Sequence, residues 1–297
     1  MLKNLAITPP VLGRISIGRV VEKNGKRLPE KDDQFTITTQ VQGKDGWLLH
    51  PYDEGFRKAC NGKLRSIPVT VMFNEPDLNL RADYSLFERQ TGRPICVGNG
   101  ETCRRHTASG LQSLPCSSPS SCEFANDGCK PYGRLNVRIG EEDLLGSFIF
   151  RTTGYNSIRV LTARLYYFHA VSGGLLASLP LELRLRAKST TQSHRTPIYY
   201  IDLTIQEGRS LEDAIAEARE VDARRRASGI DQAALDAVAR AGFGEGAFEE
   251  SDDEMPAVVE EFFSDESTAV PEKEITAGGT LKDKLDRKVA SNAGDVP

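Results

Sequence analysis

The sequence predicts an α+β fold: an antiparallel β-rich body, a cysteine-bearing loop in its middle, a central helix, C-terminal helices and an acidic tail. Three observations carry this. Short stretches of alternating apolar and polar residues recur through the first 90 positions and again after position 133. One segment, Ile158, Leu161, Leu165 and Phe168, switches to helical spacing. Five of the six cysteines fall between positions 96 and 129, in sequence with few large apolar residues.

Taken in order, residues 1–94 read as a β-rich N-terminal part. Residues 14–21 alternate, Asn24-Gly25 marks a turn, and residues 34–41 alternate again. Further strands are expected at 63–73 and 81–87, with a turn at Thr91-Gly92. Residues 95–133 form a loop segment rich in Cys, Gly, Ser and Pro, too poor in apolar side chains to fix itself by burial. Residues 134–208 form an α+β core part. Its strands are expected near 133–139, 146–151, 179–186 and 197–205, around a helix capped by Asn156 or Ser157 and ended by Gly173-Gly174. Residues 209–244 read as two helices, the first opened by a Ser210/Asp213 capping box. Residues 245–297 hold 15 acidic and 5 basic side chains and read as a disordered acidic tail. Within it the apolar patch at 257–263 suggests a partner-binding motif.

The net charge of −4 therefore divides into a tail of −10 and a body of +6. That asymmetry accompanies interaction tails and nucleic-acid binding. No run of 18 apolar residues occurs and no secretory signal is recognisable, so a cytoplasmic protein without a membrane span is expected. In that compartment a cysteine cluster signals metal before disulfides. Cys116, Cys122 and Cys129 supply three zinc ligands, and the fourth is Cys96, then Cys103, then His106 in order of preference. Four thiolates close a tetrahedral, structural Zn2+ site, whereas catalytic zinc keeps an open position and usually takes His or carboxylate ligands. The four histidines form no H-E-x-x-H pattern. Walker, dinucleotide-binding and nucleophile-elbow motifs are also absent, so no catalytic residue and no small-molecule substrate is assigned. Two basic groups, Arg104-Arg105 and Lys188 with Arg195, are candidates for phosphate contacts.

The strings at Cys96-Val-Gly-Asn-Gly100, Pro115-Cys116, Cys122, Gly128-Cys-Lys-Pro-Tyr-Gly-Arg-Leu135 and Thr153-Gly-Tyr-Asn-Ser-Ile158, with Gly173-Gly174 and Leu179-Pro-Leu181, resemble the recombination-directionality-factor-like family. The likeness runs over about residues 10–205. It implies a non-enzymatic accessory factor that binds a recombinase or integrase on its attachment sites, so that excision replaces integration. DNA then meets the chain directly or through the partner. The alternatives are a nucleic-acid-binding protein of phage-type replication or repair, and a metal-dependent hydrolase.

Overall fold

A computed structural model of the chain describes residues 10–23, 26–43, 46–60, 62–125, 128–140, 146–189, 191, 195–243 and 255–263. All of them belong to one unit, Met1–Ser264; the second unit, Asp265–Pro297, lies outside the described residues. The architecture is α+β around a large, mainly antiparallel sheet, as the alternating segments predict.

β1 (Val11–Lys23) and β2 (Lys26–Gly43) form a long hairpin in which Ile15, Ile37 and Phe35 turn inward. The expected Asn24-Gly25 turn lies outside the described residues. β3 (Gly46–Leu49) is the edge strand. The chain then makes a helix, α1 (Pro51–Ala59), where the sequence reading has only strands. Few apolar residues announce this helix; its caps do. His50 accepts the Tyr52 N–H at 3.2 Å through Nδ1, Pro51 sits in the first turn, and acidic and basic residues occupy the dipole's two ends.

β4 (Ser66–Val71), α2 (Pro76–Asn79) and β5 (Leu80–Phe87) run along one edge of β9 (Lys130–Arg138), β5 against its first half and β4 against its end. The corner between them is held by the fully buried Asn79. It accepts from Met72 N and Phe73 N and donates to the carbonyls of Phe73 and Glu75. From β5 the sheet continues through β6 (Pro94–Gly98), β7 (Thr102–Thr107) and β8 (Gly110–Pro115). This meander corrects the expectation of a plain loop over 95–133. Backbone pairing onto β5 orders the first half of the segment, a contribution that side-chain composition does not register. Only the stretch after Pro115 is irregular, with short 3-10 turns at Pro119–Ser121 and Glu123–Ala125.

The other edge of β9 pairs with β10 (Ser147–Thr152), which lies parallel to β1. The main path is β3-β2-β1-β10-β9-β5-β6-β7-β8, and β4 branches from it to β11 (Leu181–Lys188) and β12 (Ile198–Ile205). α3 (Tyr155–Val171) lays Ile158, Leu161, Leu165 and Phe168 into the core between these layers. Gly154, not Asn156 or Ser157, stands at its N-cap. Ser157 is buried instead, and its Oγ accepts the Ile201 N–H of edge strand β12. Gly173 and Gly174, both at positive φ, turn the chain out of the helix as expected.

α4 (Leu211–Ala227) begins at the Ser210 cap, whose Oγ accepts the Asp213 N–H, and α5 (Gln232–Phe243) follows. Within the region read as a disordered tail, residues 255–263 are ordered: α6 (Met255–Phe262) packs on the body. Met255, Val258 and Phe262 recur at helical spacing, and the last two are fully buried. The phenyl ring of Phe262 meets Phe87 at 4.8 Å and Tyr132 at 5.7 Å. The motif read as partner-binding therefore has an intramolecular partner. The remainder of 244–297 lies outside the described residues.

The register gives the sheet one apolar and one polar face. Leu135, Phe150 and Leu80 face the core, while Arg151, Arg134 and Arg81 stand directly opposite one another across β10, β9 and β5.

Candidate metal centre

The five clustered cysteines form no disulfide, and strand register places the first two of them. Cys96 on β6 opposes Leu86 and Arg105, and Gly98 opposes Cys103. Alternation thus puts Cys96, Gly98, Cys103 and Arg105 on one face of the meander. Cys116 leaves the end of β8, its N–H donating to Glu101 O at 2.8 Å. Cys122 joins the two 3-10 turns, and Cys129 immediately precedes β9.

Gly98 makes room for this convergence. A Cβ at that position would stand 2.6 Å from Cys103 Cβ and 3.0 Å from Cys116 Sγ. Gly100, at φ +99°, supports the turn into β7.

The thiols act on one another electrostatically. Burial pushes the Cys129 thiol up to about 12, and the charges of Cys96, Cys116, Cys122 and Cys103 push in the same direction. Cys103 rises to about 11, first through burial, then through its hydrogen bond to Cys96. The cluster's cation is Arg105. Its Nη2 reaches Cys103 Sγ at 3.9 Å and Cys122 Sγ at 3.8 Å, and the guanidinium lies 3.9 Å above the Phe124 ring. The hydrogen bond to Cys96 raises the Arg105 pKa above its ordinary value.

Among the described residues, no three His, Cys, Asp or Glu side chains are gathered tightly enough to make a ready-formed metal site. The donor set nevertheless fits a thiophilic divalent ion. Two thiols that burial and neighbouring sulfurs hold back from ionising, Cys103 and Cys129, are what such an ion relieves. His106 stands on the opposite face of β7 from Cys103, and Cys60 is exposed at the end of α1.

The basic candidates separate. Arg104 shares His106's face, whereas Arg105 turns into the thiols, a position the sequence pair alone does not distinguish. Lys188 donates to Asn156 Oδ1 at 2.7 Å on the far side of the fold, and Arg195 is exposed at φ 64°. Sequence reasoning also missed Phe124, Gly98's steric role and the arginines opposed across β10, β9 and β5. Their signal is alternation, but which strands are neighbours must be known before it can be read.

Among the described residues, no helix is long and apolar enough to cross a membrane. A family model described as Gp3-like, recombination directionality factor-like, matches residues 12–206, from β1 to the end of β12. No curated protein and no solved structure matches the chain.

Proposed function

The chain belongs to the recombination directionality factor-like family, and from that premise we propose that it is a zinc-stabilised, non-catalytic accessory protein of phage or mobile-element DNA recombination, acting by contact with a recombinase. The observation that carries the zinc reading is that the five thiols lie near enough to influence one another's charge, with Cys103 and Cys116 closing on Gly98. Cys116, Cys122 and Cys129 would hold the ion with Cys96, and Cys103 is the alternative fourth ligand. Bound zinc supplies a cross-link between the meander, the 3-10 turns and the start of β9. It fixes the irregular stretch that strand pairing leaves unpaired.

Thiolate donors favour a structural site over a hydrolytic one, because an open catalytic position is usually framed by His or carboxylate ligands. That chemistry, together with the family, supports a role exerted through protein contact.

Two measurements test the reading. Metal analysis of the purified chain should return about one zinc per chain, lost in Cys116→Ser and Cys129→Ser. In a recombination assay with a serine integrase as the partner, adding the chain should shift the reaction from integration to excision. A folded, metal-free wild type ends the zinc reading; an integrase whose direction the chain leaves unaltered ends the regulatory one. A nucleic-acid-binding role is the second reading, favoured by the arginines opposed across β10, β9 and β5.

A further inference from the structure

Like charges placed directly opposite on neighbouring strands oppose sheet formation. This sheet nevertheless sets Arg151, Arg134 and Arg81 in one cross-strand row. Neighbouring strands lie about 4.8 Å apart, so the row presents three guanidinium stems within about 10 Å. On the same face, Lys130 and Tyr132 precede Arg134 along β9, Asp83 of β5 stands opposite Tyr132 with its carboxylate 3.9 Å from Arg134, and Phe87 ends β5. The rings of Phe87 and Tyr132 meet edge to face at 5.2 Å. Cations in line beside aromatic rings are the elements of a single-strand nucleic-acid platform, which pairs backbone phosphates with guanidiniums and bases with ring faces.

α6 lies on this platform with matching chemistry. Glu261 brings a carboxylate to 3.8 Å from Arg151, whose side chain is fully buried. The Phe262 ring packs on Phe87 and Tyr132, with Lys130 Nζ 5.6 Å from its centre, and Arg89 stands 5.4 Å from Phe263. Carboxylate and ring thus stand where a phosphate and a base would. The sequence on either side continues the negative charge, with Asp252, Asp253 and Glu254 before the helix and Asp265 and Glu266 after it. Eight residues are too few to hold a helix in water, so α6 exists as a helix by virtue of docking.

We propose that the face carrying Arg81, Arg134 and Arg151 with Phe87 and Tyr132 is a binding site for single-stranded nucleic acid, which α6 occupies in cis and yields to the strand. The site uses none of the thiols and needs no recombinase.

The test uses the full chain and a labelled oligothymidylate of about 20 nucleotides, followed by fluorescence anisotropy from about 50 to 300 mM salt. Phe262→Ala, with its fold checked by circular dichroism, releases α6. If the face is open in fewer than about a tenth of wild-type molecules, release should tighten binding at least about tenfold. Three newly engaged phosphates should steepen the log–log salt slope by about 2, and adding Arg134→Gln should take back about 0.7 of that. Glu261→Gln, which keeps the helix's shape, should give a smaller gain in the same direction and decides the matter if Phe262→Ala does not fold. No gain in either variant overturns the proposal. So does an equal gain on duplex DNA, which would leave the rings without a role. A Phe262→Ala chain that ignores the oligonucleotide but binds a peptide of residues 252–264 in trans would make the face a docking groove for protein helices, and the proposal would fall.

Discussion

Gly98 and Arg105 decide the thiol cluster residue by residue. Gly98→Ala would drive a methyl group against Cys103 Cβ and the Thr102 carbonyl, 2.6 and 2.8 Å away, neither of which is the end of a flexible side chain. Overpacking of this kind costs about 1–3 kcal/mol. The variant should melt several degrees lower and hold less zinc; a Gly98→Ala chain with wild-type melting and metal content would show that the cluster has slack the geometry denies. Arg105 acts differently, through hydrogen bonds to sulfur. If zinc binds, those bonds become charge-assisted contacts to ligating thiolates, and loss of such support typically weakens metal sites by about 10–100-fold. Arg105→Ala should keep its zinc stoichiometry yet surrender the metal faster to a chromogenic chelator; unchanged release would make Arg105 a bystander.

Among the elements, α1 and α6 show where sequence and structure part. α1 rests on the neutral imidazole of His50, whose Nδ1 must keep a lone pair for Tyr52 N–H. Burial lowers the His50 pKa below its usual 6.5. The unfolded chain therefore takes up the proton first as pH falls through about 6.5, so stability present above that pH is lost below it. A cap is worth about 0.5–2 kcal/mol. Urea midpoints should decline from pH 7 to 5, and His50→Asn, which caps without titrating, should flatten that slope. An identical slope in both chains would remove His50 from the account. The strands and α3 were legible because alternation and helical spacing report burial directly. α1 was not, since its capping residues sit beside only two aromatic anchors, Tyr52 and Phe56. The strands β6–β8 are hard to read from sequence because pairing in series, β6 on β5, β7 on β6 and β8 on β7, orders them, while the side chains of β8 remain largely exposed. α6 was half-visible: its apolar residues stand out as a patch in an acidic stretch, but they read as a motif for another molecule until Phe87 and Tyr132 are placed beneath them.

Across the whole molecule, the C-terminal region divides into a docked helix and the residues beyond it. Deleting 264–297 should leave the melting temperature within about a degree, since that composition has little to bury. Deleting 244–297 also uncovers Phe87, Tyr132 and Arg151, and should cost on the order of 1–3 kcal/mol, or about 2–4 °C for each. Equal melting of the two truncations would mean that α6 adds nothing to the body. The thiol cluster was legible in outline, because spacing and loop composition name the donors. Which face each donor takes was not, since that depends on register.

β1 and β10 are parallel neighbours, yet Ser147 Oγ donates to Pro10 O across 137 residues of chain. On a ribosome adding about 5–20 residues per second, β1 has no partner on that side for roughly 7–30 s. Until β10 emerges, the β1–β2 hairpin travels with one long edge unpaired, open to mispairing with neighbouring chains on the same message. The heart of the sheet can close only once about half of the chain is made, and slow or stalled translation before residue 147 should therefore cost soluble yield more than a stall after residue 205.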